Sequence, residues 1–198
     1  MTTQAGRDSD PGDPNAAATP VGRDAVAAAV LSAAADLYAE RGPAATSIRD
    51  VAERAGVNHG LVFRHFGAKD ALVAAVLNHL AAESESAIGD AGAGAGGADP
   101  RLRRHWIVLA RCLLDGYPVG AMQDRFPVVS RLIEQTPRAG RADGALALDV
   151  AHAVAFRLGW ELFAPFLRAA AGLDALSEDE LDAAVDERVR RLLLAGGD

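Results

Sequence analysis

Three side chains that lie close together in the sequence have the chemistry to read the edges of DNA bases. His59, Leu61 and Arg64 fall within a short predicted helix from residue 59 to residue 66. Arginine can donate two hydrogen bonds to guanine O6 and N7, histidine can donate or accept, and leucine can contact a thymine methyl group. The three residues predict base contacts in a major groove if the helix turns them outward.

Other polar residues around this helix are suited to contacts with phosphate groups, which position a protein on DNA but do not specify the sequence. Lys69, the only lysine in the chain, lies in the predicted first turn of the next helix, where an anion would be favoured. For Arg49 the alternative is a solvated surface, and for His65 a helix end satisfied by the backbone. The phosphate candidates are Thr46, Ser47, Arg49, His65 and Lys69.

Two short helices and a tight turn must hold these residues. Thr46 or Ser47 can cap the first helix, and Ser47 with Asp50 makes an acidic capping box. Gly56 can take a positive φ and end that helix, after which Asn58 caps the second. Two helices joined in this way are the parts of a helix-turn-helix, whose second helix enters a DNA groove.

Gly60 is unusual because glycine inside a helix costs about 1 kcal/mol relative to alanine. Two explanations are open. The helix either packs closely against a neighbouring helix or must approach DNA closely.

Residues 30–77 resemble the N-terminal DNA-binding domain of TetR-type transcriptional regulators. The matching segments are AAADLYAERG (33–42), ATSIRDVAERAGV (45–57), Gly60, the FRHF block (63–66) and Lys69–Asp70. The resemblance implies a three-helix DNA-binding domain, a helical domain that dimerises and usually binds a small molecule, and repression relieved by that ligand.

The resemblance also implies a DNA-backbone position for Phe63, with one departure from the family pattern. Such regulators often have tyrosine there, and its hydroxyl commonly reaches a phosphate. The phenylalanine of this chain lacks that hydroxyl, so the expected role of its ring is packing.

The composition favours helices and offers no obvious catalytic or metal site. Of the 198 residues only 5% are aromatic, alanine is abundant, and no alternating strand pattern is present. The single cysteine, Cys112, fits a reducing cytoplasm. No signal peptide, membrane span, metal-ligand spacing or nucleophile elbow is recognisable. We therefore expect a cytoplasmic protein that is not an enzyme and has no cofactor.

The net charge of −7 argues at first against a nucleic-acid partner. The distribution of charge reverses that argument. From Arg54 to Lys69 there are three basic residues and no acidic one, which predicts a positive surface on an otherwise acidic molecule.

The predicted fold is all-α, with an N-terminal three-helix helix-turn-helix domain and a C-terminal ligand-binding and dimerisation domain. The expected divisions are a disordered arm at 1–22, the DNA-binding domain at 23–68 and the helical domain at 69–198. Arg7 and Arg23 could follow a minor groove, although an inert tail is the alternative for both. Within the last domain we expect helices at 69–87, 121–136 (bent or restarted at Pro127), 145–170 and 178–194.

The last two helices form a predicted antiparallel hairpin. Paired with its copy, the hairpin would make a four-helix interface, although both helices could instead complete the core of one subunit. Asp186–Arg190 and Glu187–Arg191 are expected ion pairs on the last helix.

Aromatic and methionine side chains in the C-terminal part could line a pocket for a small apolar ligand. Plain core packing is the alternative for each of them. The candidates are Trp106, Met122, Phe126, His152, Phe156, Trp160 and Phe163.

These observations predict a dimeric DNA-binding transcriptional regulator that recognises a palindromic operator and is released from it by a ligand. The alternatives are a ligand-independent architectural or adaptor protein, and an activator. A shift in melting temperature or release of DNA by small apolar molecules would separate these classes.

Overall fold

The computed structural model describes Pro20 and residues 22–91, 99–138 and 140–194. Most of the expected N-terminal arm therefore lies outside the described residues. Within the described ranges the chain forms helices and no strand, which confirms the all-α prediction. The helices are α1 (Arg23–Arg41), α2 (Ile48–Arg54), α3 (His59–Phe66), α4 (Lys69–Ala91), α5 (Pro100–Leu114), α6 (Val119–Met122), α7 (Pro127–Gln135), α8 (Asp143–Ala171) and α9 (Glu178–Leu194).

One apolar cluster joins the first five helices. Val30 of α1, Val51 of α2 and Val62 of α3 are completely buried in it. Val108 and Cys112 of α5 belong to the same cluster, so the core continues across the expected domain boundary at residue 69. Burial raises the pKa of the Cys112 thiol to about 12, which keeps the thiol protonated and unreactive.

α4 is longer than the sequence predicted. It continues to Ala91 instead of ending near residue 87. Ala87 is completely buried and Ile88 partly so, and both pack with Leu102 and Trp106 of α5. This packing holds the helix beyond the point where the local sequence turns to glycine and alanine.

The chain between α6 and α7 is a true break in the helix. The predicted restart at Pro127 is confirmed, since proline is the first residue of α7. Gln123 donates from Nε2 to the carbonyl of Arg125 at 2.6 Å. Asp124 joins Asn78 of α4 through two hydrogen bonds of 3.0 and 3.2 Å. These bonds fix the connecting segment on α4.

The hairpin of α8 and α9 is confirmed, including the cap of α9. Ser177 donates its backbone N–H to Glu180 Oε2 at 2.8 Å, and Glu180 donates its own to Ser177 Oγ at 3.3 Å. The expected Glu187–Arg191 pair is present at 2.8 Å. The expected Asp186–Arg190 pair was wrong, because Arg190 pairs with Glu187 instead.

Asp186 instead joins a buried ion network that links three helices. Arg157, only 5% exposed, lies 2.9 Å from Asp186 of α9 and 3.0 Å from Glu161 of α8. Arg103 of α5 approaches Glu161 at 3.2 Å. The spacing of Arg157 and Glu161 by four residues in an apolar helix was a signal of this pair.

Replacing Arg157 by alanine should lower the free energy of unfolding by about 3–5 kcal/mol, because it removes the buried guanidinium, unpairs Asp186 and leaves the buried Glu161 with Arg103 as its remaining ion-pair partner. Urea denaturation of the purified protein measures this. Arg191→Ala is the matched control, since Arg191 is an exposed arginine paired with a carboxylate on the same hairpin. Equal effects of the two substitutions would contradict a structural role for the buried network.

Candidate nucleic-acid interface

The start of α2 is fixed by its own residues. Ser47 Oγ accepts from the Asp50 N–H at 3.1 Å, and Asp50 Oδ2 accepts from the Ser47 N–H at 3.0 Å. This confirms the predicted capping box and selects Ser47, not Thr46, as the cap. The hydrogen bond from the Ser47 backbone lowers the pKa of the Asp50 carboxyl and keeps it charged.

A tight turn then directs the chain into α3. Gly56 has a φ of 65°, which glycine adopts without strain. Val57 packs against the core at the corner, and its N–H donates to the Ala52 carbonyl at 3.0 Å. Asn58 Oδ1 accepts from the Gly60 N–H at 2.8 Å and caps α3 as predicted.

Gly60 does not pack against a neighbouring helix. A Cβ at this position would lie 3.2 Å from Asn58 Oδ1 and within 4 Å of no other atom outside the adjoining chain. The packing explanation offered from the sequence was therefore wrong. The glycine leaves room beside the cap on an exposed surface.

α3 buries one narrow face and exposes the other. Val62 is fully buried, whereas His59 and Arg64 are exposed as predicted. Leu61 is half-buried and packs against the core, so it is less outward than expected. Phe63 is 63% exposed, so the expected packing role of its ring was wrong.

The residues predicted to contact phosphates divide into two groups. Thr46 is only 1% exposed, and its hydroxyl donates to the Gly42 carbonyl at 2.8 Å. Thr46 therefore supports the turn after α1 and does not face solvent, a correction to the sequence-based expectation. Ser47 and Arg49 are exposed.

His65 and Lys69 lie at the junction of α3 and α4, and both are half-buried. The His65 ring lies beside that of Phe66, with ring centroids 6.1 Å apart. Lys69 Nζ lies 3.4 Å from the Ala44 carbonyl oxygen in the loop before α2. Lys69 is the first residue of α4, as predicted, and its ammonium group bridges toward the start of α2.

Some of the basic side chains that could contact DNA phosphates are instead held in ion pairs. Arg54 forms two hydrogen bonds of 3.0 and 3.1 Å with Glu40, which neutralises one of the three cations counted from the sequence. Arg41 is likewise paired with Asp50 at 2.8 Å. Both pairs tie α2 to α1, so they serve the scaffold more than the DNA-facing surface.

A basic groove lies between the start of α1 and α3. Among the described residues its lining includes two arginines and one histidine, and no acidic side chain. The lining residues are Pro20, Gly22, Arg23, Val26, Leu61, Arg64 and His65. The fold thus brings Arg23 beside Arg64, a proximity that the sequence left undecided.

The candidate ligand residues do not form one site. Trp106 and Phe126 line a cavity of about 30 Å³, which we call the His105 cavity. Met122 instead packs against the main core, and His152 is exposed on α8. The remaining candidates, Phe156, Trp160 and Phe163, line an open groove along α8.

The His105 cavity lies between α5 and the segment leading into α7. Its lining residues are His105, Trp106, Leu109, Gln123, Phe126, Pro127, Val128 and Val129. His105 is buried, with Nδ1 2.8 Å from Ser84 Oγ of α4, and burial lowers its pKa to about 4. The sequence did not identify Gln123 as a site residue. It is a polar residue between two helices, and nothing in its local sequence indicates that it is buried.

In the described part of the chain no helix combines the length and apolar character that membrane crossing requires. Among those same residues no group of three or more His, Cys, Asp or Glu side chains is placed to hold a metal ion.

A capped short helix follows a glycine turn, and its exposed face lies beside basic side chains that have no ion-pair partner in the described part of the chain. This arrangement defines the class of helix-turn-helix DNA-binding proteins. Residues 30–76 match the family model described as "Bacterial regulatory proteins, tetR family". The chain is 55% identical over 174 residues to the HTH-type transcriptional repressor Rv3405c of Mycobacterium tuberculosis, covering 88% of this chain and 92% of that protein. The chain therefore belongs to the TetR family and is a DNA-binding transcriptional regulator.

Other relatives are similar over different lengths. The HTH-type transcriptional regulator Mb3439c of Mycobacterium bovis is also 55% identical, over 88% of this chain and 92% of its own. The HTH-type transcriptional repressor KstR2 of Rhodococcus jostii is 44% identical over 48 residues, 24% of each chain. A solved TetR-family structure from Vibrio parahaemolyticus is 24% identical, covers 83% of this chain and 97% of its own, and has a TM-score of 0.45.

The burial of neutral His105 predicts a loss of stability in acid. Its pKa is about 6.5 when unfolded and about 4 when folded, so the unfolded state binds more protons between these values. The contribution of neutral His105 to the free energy of unfolding is fully present above pH 6.5. It should fall by roughly 3 kcal/mol as the pH drops to 4. Urea denaturation across that range, compared with His105→Gln, isolates this effect. If the His105→Gln variant loses stability equally steeply, the loss arises from other titrating groups and not from His105.

Proposed function

We propose that this protein is a homodimeric repressor that binds a palindromic operator and leaves it when a small, mainly apolar ligand binds. The observation that carries the DNA-binding part is the basic groove, where Arg64 lies beside Arg23 and His65 on a chain of net charge −7. Repression is supported by the 55% identical relative Rv3405c, which is named a transcriptional repressor. Such a protein acts where the DNA is, in the cytoplasm.

The exposed face of α3 supplies the base contacts in this proposal. Arg64 pairs with a guanine, His59 contacts an adjoining base, and Leu61 meets a thymine methyl from its half-buried position. Exposed Phe63 contributes an apolar contact to the DNA backbone or to a methyl group. Ser47, Arg49, His65 and Lys69 hold phosphates on either side.

An apolar stripe on α8 supports dimerisation. Leu148, Phe156, Phe163 and Phe166 are all exposed, and with His152 they recur along one side of the helix. We call these five residues the α8 stripe. Continuous apolar surface of this kind marks an interface, and a twofold axis would place the stripe of one subunit against that of its partner.

A dimer also meets a geometric need of DNA recognition. One α3 helix has only a small charged surface, so the affinity of a single subunit is modest. Two α3 helices one helical turn (~34 Å) apart read both halves of a palindrome. The proposed domain division at residue 69 then has α4 lead from the DNA-binding domain into the dimerising one.

Ligand release requires a difference in affinity between two arrangements of the dimer. A ligand shifts the equilibrium only if it binds the DNA-incompetent arrangement more tightly. A change in the direction of α4 would alter the separation of the two α3 helices. The His105 cavity is our candidate for the ligand site, because its lining residue His105 is hydrogen-bonded to Ser84 of α4.

Arg64→Ala should weaken binding to the operator by about 1–3 kcal/mol and relax the preference at one base position. Selection of bound duplexes from random DNA identifies the operator, and fluorescence anisotropy measures affinity. Arg131→Ala is the control, since this exposed arginine lies on α7, away from α3. An unchanged base preference in the Arg64 variant would rule out its proposed role.

Phe163→Glu should convert the dimer to a monomer, because it places a charge in the centre of the α8 stripe. Sedimentation velocity gives the mass, and circular dichroism checks the fold. The control is Leu114→Glu, which changes an even more exposed apolar residue at the end of α5. A Phe163 variant that stays dimeric would place the interface elsewhere.

A further inference from the structure

The His105 cavity contains two polar atoms that are buried and have no hydrogen-bond partner among the described residues. They are Nε2 of His105 and Oε1 of Gln123. His105 is 6% exposed and Gln123 is 4% exposed. Buried polar atoms are nearly always satisfied, so two such atoms on residues that line one cavity point to a bound group that supplies the missing bonds.

The orientation of the Gln123 amide is fixed by its neighbour. Gln123 Nε2 lies 2.6 Å from the Arg125 carbonyl oxygen and donates to it. The reversed amide would bring two acceptors together at that distance, which is unfavourable. Oε1 is therefore the acceptor of the amide that has no partner among the described residues, and it needs a donor.

His105 is neutral near pH 7, since burial lowers its pKa to about 4. A neutral imidazole has one donor nitrogen and one acceptor nitrogen. Ser84 Oγ can serve Nδ1 in either role at 2.8 Å. If Ser84 donates to Nδ1, Nε2 carries the proton and needs an acceptor.

We propose that the His105 cavity binds the hydroxyl group of a neutral, mainly apolar ligand. The hydroxyl oxygen accepts from His105 Nε2–H, and the hydroxyl proton is donated to Gln123 Oε1. Ser84 completes the chain by donating to His105 Nδ1. This assignment rests on the proposed ligand-released repressor and names the chemical class of its ligand.

The rest of the lining is apolar and favours an uncharged ligand. Trp106, Phe126 and Val128 border the same cavity and contact the apolar body of the ligand. A carboxylate would face the acceptor of Gln123 and an imidazole without charge, so it is disfavoured. A hydroxyl group carries both an acceptor for His105 Nε2–H and a donor for Gln123 Oε1.

Binding must move the wall of the cavity. Its volume of about 30 Å³ accommodates little more than a water molecule or a hydroxyl group. The mobile wall in this proposal is the segment from Gln123 to Phe126, which has two polar attachments to α4. Asp124 bonds Asn78 at 3.0 and 3.2 Å, and Arg125 pairs with Glu85 at 3.2 Å.

These attachments connect the ligand to DNA binding. An apolar group that enters beside Phe126 pushes on the segment bonded to Asn78 and Glu85, and both residues are on α4. The same helix begins at Lys69, immediately after α3. Ligand entry therefore acts on the helix that sets the direction of the DNA-reading helix.

Phenol and toluene test the assignment, because the two probes have nearly the same size and differ by a hydroxyl against a methyl group. Isothermal titration of the full chain without DNA should show phenol binding about tenfold more tightly, and benzoate should not bind. Gln123→Leu should abolish the preference for phenol. Gln135→Leu is the control, because Gln135 is an exposed glutamine on α7. This variant should retain the preference for phenol.

Nitrogen-15 NMR of the wild-type histidine side chains gives a second measurement that needs no variant. Phenol should hold His105 in the tautomer with the proton on Nε2 and shift that resonance. Equal binding of phenol and toluene, or a cavity that holds only water and ignores both probes, would overturn the proposal.

The proposed repressor function is tested separately by anisotropy with operator DNA and no probe. Operator binding without phenol selectivity would reject only the hydroxyl site. Absence of operator binding would reject the repressor, whatever the outcome of the phenol titration.

Discussion

The structure depends on the packing of α3 through Val62 onto the core that α1, α2 and α4 share. An eight-residue helix is too short to persist in water by itself, since helix nucleation is unfavourable. Its order comes from this burial, the Asn58 cap and the turn at Gly56. The same constraint leaves free the surface that we propose reads DNA, because only one narrow face is used for packing and the opposite face, with His59 and Arg64, remains exposed.

Charge is arranged locally on this protein. The net charge of −7 would repel DNA as a whole, but Debye screening limits its reach to roughly 8 Å under physiological salt. The ion pairs of Arg54 with Glu40 and of Arg41 with Asp50 hold α2 against α1. Other cations, including Arg64, have no such partner in the described structure. The acidic residues thus support the scaffold and leave the basic groove positive.

α4 connects the features that a ligand-controlled regulator needs. Its first residue, Lys69, reaches the loop before α2, and its middle part carries Asn78 and Ser84. Its last turns pack on α5 through Ala87. A continuous helix transmits a displacement with little loss because its backbone bonds hold it rigid. The proposed ligand and DNA sites can therefore be coupled without any direct contact between them.

Local features of this fold were predictable from the sequence, because they depend on residues a few positions apart. The Ser47–Asp50 capping box, the Asn58 cap, the restart at Pro127 and the Ser177–Glu180 cap are all of this kind. The face of α3 that points outward followed from its apolar spacing, and this identified His59 and Arg64.

Tertiary structure decided everything that depends on neighbours distant in the chain. It exposed Phe63, buried Thr46, paired Asp186 with Arg157, and separated Trp106 from Phe163. It also brought His105 and Gln123 to one cavity. Periodicity shows that a side chain lies on a given side of its own helix, but the partner on that side is set by how whole helices pack. The sequence thus determined the helices, their caps and the outward face of α3 that carries His59 and Arg64, whereas only the packed fold determined which polar groups are neutralised, buried or left unsatisfied.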